Sequence, residues 1–167
     1  MQNACARIVH VTTAHPRHDI RVRHKIAQSI AQHFDAEVLL IVQDGLPNEK
    51  DGSLLIRSAG PKSTRQRYRL MFGVWRAFFY VLRSRPNLVH FHDPELIPVC
   101  ILLKLFGIKI IYDVHEDTPQ QILVKRNIPK FFRKILSWCV KEMEKKSSII
   151  FDGVVAATPT SSCSRLL

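Results

Sequence analysis

Short, mainly apolar runs alternate along this chain with longer stretches of helical periodicity. The runs are 7–12, 38–42, 54–58, 87–91, 108–112 and 153–157. Strands that are apolar throughout are typical of a parallel sheet covered by helices on both faces. We therefore predict an α/β fold, a single Rossmann-like doubly wound domain whose mainly parallel sheet has about five or six strands in the order 3-2-1-4-5-6.

Helices are predicted between these runs. Apolar residues at helical spacing predict the first one, and they are Ile20, Ile26, Ala27, Ile30 and Phe34. A second helix is predicted near 64–83 and a later, basic one over about 131–146. Asp93 and Pro94 suit the N-cap and first position of another helix, which Gly107 would end. The turn-rich stretch 44–52 is predicted to be a connection.

Polar side chains follow three of the strands, in the runs TAHPRHD, HFHDPE and DVHED. In the predicted strand order these strands are neighbours, and ligands bind at the carboxyl ends of strands beside the switch point of such a sheet. The three loops should therefore share one cleft. Their candidate residues are His15, Arg17, His18, Asp19, Arg21, His92, Asp93, Glu95, Asp113, His115, Glu116 and Asp117.

Several of these residues have two interpretations. Asp93 could cap a helix or contact a ligand, and Arg17 and Arg21 could bind phosphate or face solvent. His90 is expected to be a hydrogen-bonded interior histidine because it alternates with Phe91 on a buried strand. His115 is the leading candidate for catalysis, since imidazole titrates near neutral pH and it lies among carboxylates.

Other kinds of site are less well supported by the sequence. The HxH pair at 90–92 could ligate a metal, but no single loop supplies three or four ligands, so no metal is expected. No serine or cysteine lies in a GxSxG elbow. The first loop, TTAHPRHD, lacks the GxGxxG of dinucleotide-binding proteins, which argues against such a cofactor.

Charge adds a possible surface partner. The formal net charge is +11, and residues 53–92 contain eight Lys or Arg and no Asp or Glu. Arg69, Phe72, Arg76, Tyr80 and Arg83 would form one face of the helix at 64–83, whereas Met71, Trp75, Phe78 and Leu82 would face the core. The first set resembles a face that meets an anionic membrane, with a solvated face as the alternative. Nucleic acid is not expected, because the chain lacks a recognisable binding motif.

Length and composition favour one globular domain in the cytoplasm. The 167 residues are 46% hydrophobic, with no run long enough to span a membrane and no secretion signal at the amino terminus. The four cysteines lack a CxxC pair and are expected to be reduced thiols.

Four segments in this order resemble glycosyltransferases of family 4, which have the two-domain GT-B fold. They are HPRHDIRVRHK, VHFHDPELIP, IKIIYDVHEDTPQQILVK and FDGVVAATP. The resemblance implies a retaining enzyme that uses a nucleotide sugar as co-substrate, without metal or other cofactor, in polysaccharide or glycolipid synthesis at the inner membrane face. Its amino-terminal domain would hold a sugar or lipid-linked acceptor.

By this resemblance residues 1–159 form the acceptor-binding domain, and 160–167 are a polar tail. His115 would be the cleft histidine, with His92, Asp93 and Glu95 on the acceptor side. The donor-binding domain is expected to be absent, so the chain alone should have little or no activity and could require a separate donor-domain chain. The alternatives are a noncatalytic binding module, a subunit of a split transferase, and a metal-dependent hydrolase.

Overall fold

The computed structural model describes residues 6–61, 72–114, 117–125 and 128–156. Its strands are β1 (Ala6–Val11), β2 (Ala36–Val42), β3 (Glu49–Asp51), β4 (Leu54–Ser58), β5 (Leu88–Phe91), β6 (Lys109–Val114) and β7 (Gly153–Ala156). They form one sheet in the order β3-β4-β2-β1-β5-β6-β7. Every pair is parallel except β3 with β4. The predicted fold class and strand order are confirmed, with β3 as an additional edge strand.

Helices occupy both faces of this sheet. Helix α1 is wound as a π-helix over Ile20–Gln28 and continues as an α-helix over Ser29–His33. The other α-helices are α2 (Val74–Ser84), α3 (Ile97–Leu105), α4 (Thr118–Val124) and α5 (Lys130–Ile150). A 3₁₀ turn over Pro94–Leu96 leads into α3.

The first helix corrects part of the predicted apolar face. Asp19 begins α1 by accepting hydrogen bonds from the backbone N–H groups of Arg21 and Val22, at 2.9 and 2.8 Å. Ile20 and Phe34 are exposed, while Val22 and Ala27 are buried. A π-helix bonds i to i+5 and therefore does not keep the 3.6-residue period on which the prediction depended.

Side-chain alternation along the strands gives the sheet two different faces. On one face Val9, Ile41 and Phe91 belong to a large apolar cluster with residues of α2 and α3. On the other, Val38, Leu40 and Ile56 pack with α1 in a smaller cluster. His10 pairs in register with Leu40, so its side chain lies on the face that α1 covers.

Two buried arginines tie the first loop and α1 to the edge of the sheet. Arg17 donates to Asp44 Oδ2 at 2.5 Å and to Glu49 Oε2 at 3.1 Å. Arg23 donates to Glu49 Oε1 at 2.6 Å and to Asp51 Oδ2 at 3.0 Å. These ion pairs hold β3, a short polar strand with little apolar pattern of its own, and this explains why apolar periodicity did not predict it.

Asp44→Asn should destabilise the fold more than the matched change Glu37→Gln. Asp44 pairs with buried Arg17, and breaking that pair should cost about 2 to 4 kcal/mol. The Arg7–Glu37 pair is about 40% exposed at both side chains, so its loss should cost less than about 1 kcal/mol. Urea denaturation at pH 7 measures the free energy of unfolding of both variants. Equal losses of stability would contradict the larger contribution assigned to the Asp44–Arg17 pair.

Acidification should lower the free energy of unfolding of wild type more than that of Asp44→Asn. Burial alone would raise the pKa of Asp44, but hydrogen bonds from Arg17 and from Leu46 N–H lower it below its usual value. A folded-state pKa below the unfolded value gives stability that is present above the unfolded pKa and is lost as the pH falls through the folded pKa. Urea denaturation repeated below pH 4 should therefore show a smaller difference in the free energy of unfolding between wild type and Asp44→Asn than at pH 7.

Candidate functional site

Asp93 joins the loops that follow β1 and β5. Its Oδ2 accepts hydrogen bonds from Thr12 Oγ1 at 2.7 Å and from Thr13 N–H at 2.6 Å. Asp93 occupies the N-cap position before Pro94, but its side chain makes no capping hydrogen bond. Asp93 thus takes the N-cap position that the sequence indicated, but of the two interpretations left open for its side chain, capping is not observed, because the carboxylate accepts from the β1 loop. Asp93 is only 4% exposed, so this contact lies in the interior.

A polar cavity of about 230 Å³ lies beside this contact. Its wall includes His15, His92 and Asp93 from the predicted set, together with Ala14, Pro94, Tyr112 and Thr118. Nδ1 of His15 lies 3.4 Å from Asp19 Oδ2, and its Nε2 lies 3.6 Å from Asp93 Oδ1. Glu95 accepts a hydrogen bond from Thr13 Oγ1 at 2.6 Å. The first two polar loops thus meet as the strand order predicts.

Asp113 connects the third strand to the same region. Its Oδ2 lies 3.1 Å from His92 Nδ1, and its Oδ1 accepts from Arg21 at 2.7 Å. Burial alone would raise the pKa of Asp113, but His92 and Arg21 lower it to about 2. Asp113 is therefore a buried carboxylate anion that fixes the His92 ring. Arg21, with a side chain about one-third exposed, is the bridge from α1.

Three imidazoles cluster beneath this cavity on the face of the sheet that α1 covers. His10 and His90 are register partners on β1 and β5, and His92 follows two residues later. Ring centroids are 5.0 Å apart for His10 and His90 and 4.8 Å for His90 and His92. The predicted burial of His90 is confirmed, but its Nε2 makes no hydrogen bond to any described residue.

His10 is the residue of this region that sequence reasoning missed. Its side chain is fully buried, and neither ring nitrogen has a hydrogen-bond partner in the part of the chain described. Burial, then the proximity of His90 and His92, lowers its pKa well below the usual value. Burial likewise lowers the pKa of His90 to about 4. The signal in the sequence was a histidine inside an otherwise apolar strand, next in the sheet to an HxH strand.

Some predicted site residues are placed elsewhere. The guanidinium of Arg17 donates to Asp44, Glu49 and the Pro47 carbonyl, and the hydrogen bonds to Asp44 and Glu49 raise its pKa further. A substrate contact would need these bonds released. Asp117 caps α4 by accepting from Gln120 N–H at 3.2 Å.

His115 and Glu116 lie outside the described residues, between β6 and the residue that caps α4. Their predicted roles stay predictions.

The basic aromatic helix face is on the surface as far as it is described. Phe72, Arg76, Tyr80 and Arg83 are exposed, and Arg69 lies outside the described residues. Trp75 was expected in the core but is 47% exposed, because Val74, Ala77, Phe78 and Val81 supply the buried side of α2. No helix in the described ranges is long and apolar enough to cross a membrane.

An apolar groove of about 450 Å³ runs from the polar cavity between the start of α3 and helices α4 and α5. Pro94 and Thr118 line both spaces. The groove is completed mainly by apolar side chains, including Pro98, Ile122, Ile128, Leu136, Val140 and Met143. The polar cavity and the apolar groove are therefore adjacent and share part of their walls. The sequence did not predict this groove, since it did not predict α4, which forms part of its wall.

Comparison with solved structures places the fold. A sucrose-phosphate synthase from Thermosynechococcus elongatus aligns with 94% of the chain at a TM-score of 0.67 and 16% identity. An E. coli trehalose-6-phosphate protein bound with UDP-2-fluoro glucose aligns at 0.57 and 13%, over 96% of the chain. An α,α-trehalose-phosphate synthase (UDP-forming) from Burkholderia vietnamiensis aligns at 0.53 and 14%, over 93%.

These matches establish the fold of one part of a larger architecture. The chain covers only 43%, 42% and 40% of the three matched structures, which are GT-B glycosyltransferases. No family model and no curated protein matches the chain. The fold is thus that of a Rossmann-like half of a GT-B protein.

Asp93→Asn should loosen the β1 loop more than Asp117→Asn does. The amide replaces a buried carboxylate whose Oδ2 accepts from the Thr12 and Thr13 hydroxyls and from the Thr13 and Ala14 N–H groups, at a cost of about 1 to 3 kcal/mol. Asp117 is an exposed N-cap, where asparagine is nearly as good. Hydrogen exchange of the Thr13 amide should be much faster in Asp93→Asn only. Unchanged Thr13 protection in that variant would contradict the described hydrogen bond.

Proposed function

We propose that this chain is the acceptor-side domain of a retaining, nucleotide-sugar-dependent glycosyltransferase of family 4. The supporting observation is the polar cavity that Asp93 builds at the switch point of a sheet with a GT-B half-fold. Open α/β sheets of this kind bind ligands at the switch point. The four sequence segments that resemble family 4 contain most of the residues in the cavity wall.

The acceptor would be a sugar carried on a lipid, of the kind used in polysaccharide or glycolipid synthesis. His15 and Asp93 offer hydrogen-bonding groups that suit sugar hydroxyls in the polar cavity, and Glu95 offers a carboxylate at the groove beside it. The neighbouring groove offers apolar side chains to a hydrocarbon tail, and both spaces meet at Pro94 and Thr118. A free sugar would use only the polar end, so the joined surfaces support a lipid-linked acceptor.

In the transfer step, an acceptor hydroxyl forms a new bond to the anomeric carbon of the donor sugar. The bond from that carbon to the nucleotide phosphate breaks, and the nucleoside diphosphate leaves with the electron pair. The acceptor hydroxyl loses its proton as the new bond forms, and the departing phosphate oxygen takes up that proton. We assign His115, which follows β6 in the sequence, to stabilise the reacting sugar by polar contact. His15 and Asp93 orient the acceptor, because positioning supplies much of the rate in such reactions.

The nucleotide sugar would be held mainly by a second Rossmann-like domain, either on the same polypeptide or on a separate chain. Retention without a covalent nucleophile requires donor and acceptor to be assembled together in one cleft. We therefore assign cleft formation to that second domain and acceptor binding to this one. The alternative is a noncatalytic binding module with the same cavity.

Transfer activity should depend on that second domain. The purified 167 residues should release no nucleoside diphosphate from UDP-glucose or GDP-mannose above a blank. Sequencing the DNA that follows codon 167 should identify a second Rossmann-like domain, and the longer product should turn over a nucleotide sugar. Turnover by the 167 residues alone would contradict the proposal, and an inactive longer product would favour the binding module.

In the active longer product, His115→Ala should lower kcat about 100-fold or more, since a cleft histidine contributes to transition-state stabilisation. His33→Ala, an exposed histidine at the end of α1, is the control and should leave kcat unchanged. Equal effects of the two substitutions would remove His115 from the proposed role.

The exposed face of α2 is proposed to contact the anionic inner membrane face. Reversing Arg76 and Arg83 to glutamate should weaken co-sedimentation with phosphatidylglycerol vesicles by about 10-fold or more, because each basic residue near the surface contributes about 1 kcal/mol. Lys25 and Lys109 are exposed on other elements, and their reversal makes the same change in net charge. Equal weakening in both double variants would contradict a specific α2 contact.

A further inference from the structure

We propose that His10, His90 and His92 form a binding site for one divalent transition-metal ion, most suitably Zn²⁺. Each residue offers one imidazole nitrogen, and the three candidate ligand atoms all lie within 4.8 Å of one another. The site joins β1 to β5 below the polar cavity. The sequence argued against a metal because no single loop supplied enough ligands, but the third ligand comes from the neighbouring strand.

Strand register places these ligands together. His10 and His90 are directly opposite on parallel strands, and His92 shares the face of His90 because side chains alternate along a strand. Three imidazoles with one open position are a common ligand set for Zn²⁺. Tetrahedral geometry with Zn–N bonds of about 2.0 to 2.1 Å brings the nitrogens to about 3.4 Å apart, so binding needs side-chain shifts of roughly 1 Å.

Because His10 and His90 are buried, leaving their ring nitrogens without a ligand destabilises the folded protein. Neither ring nitrogen of fully buried His10 makes a hydrogen bond to a described residue, and Nε2 of His90 makes none either. A buried polar group left without a partner destabilises the folded state. A metal ion would accept the lone pair of one nitrogen from each ring. Coordination would therefore give His10 and His90 a partner that the described side chains around them do not supply.

A buried carboxylate gives the site its supporting contact. Asp113 Oδ2 lies 3.1 Å from His92 Nδ1, and both side chains are fully buried. Metal-bound histidines commonly give their other ring nitrogen to a carboxylate, which fixes the ring and strengthens it as a ligand. Arg21 holds the second oxygen of Asp113 at 2.7 Å. His92 also lines the polar cavity, so the proposed site lies directly beside it.

Metal analysis of the protein purified without a histidine tag tests the proposal. After incubation with Zn²⁺ and gel filtration, wild type should hold one Zn²⁺ per chain, and Co²⁺ in its place should give the visible bands of a tetrahedral nitrogen site. His10→Gln and His90→Gln should lose the ion. Exposed His24 and His33 make a matched control, since the double change to Gln should retain it.

Two further results separate the metal site from a simple structural role. Zn²⁺ should raise the Tm of wild type and of the control, and Asp113→Asn should weaken Zn²⁺ binding about 10- to 100-fold. Wild type that holds no Zn²⁺ or Co²⁺ would overturn the proposal, even if His10→Gln failed to fold. Equal Zn²⁺ binding by wild type and a folded His90→Gln would overturn it as well.

Discussion

The carboxylate of Asp93 is the contact on which the candidate site depends. It bridges two loops that diverge from the switch point, where β1 and β5 are neighbours and the helices after them leave on opposite faces of the sheet. By accepting from Thr12 and Thr13, it closes the gap between the loops and forms one wall of the cavity. The sheet brings the loops together, and this buried anion holds them in place.

Alternation along β5 separates structure from chemistry within a few residues. Phe91 stacks on Tyr112 at 4.5 Å on the face that α2 and α3 cover, whereas His90 and His92 point to the α1 face. The same strand thus stabilises the larger core and supplies imidazoles to the site. Asp113 repeats the arrangement on β6, where it faces His92 while Tyr112 faces the core. A polar layer is therefore built under the cavity without interrupting the apolar core.

The sequence predicted the parallel sheet, its order and the meeting of the first two polar loops, because apolar runs and loop position carry that information. It could not predict that Asp93 would turn away from its helix, since the choice between capping and bridging depends on a loop about 80 residues distant. Likewise His10 gained its importance only from register with His90. The apolar face predicted for α1 was partly wrong because the prediction assumed 3.6 residues per turn, whereas the helix begins as a π-helix. Strand β3 was not predicted because ion pairs hold it and its own sequence has no apolar pattern.

The joined polar cavity and apolar groove carry the central claim, that this face binds an acceptor sugar on a lipid. Amide chemical-shift mapping with millimolar octyl glucoside as the probe tests it most directly. With octyl glucoside, the account predicts amide shift changes in the cavity at Ala14, His15, Asp93 and Thr118 and along the groove at Ile122 and Val140. With methyl glucoside, only the amides of the cavity residues should shift. Shifts centred on another surface, or none in the cavity with either compound, would contradict it.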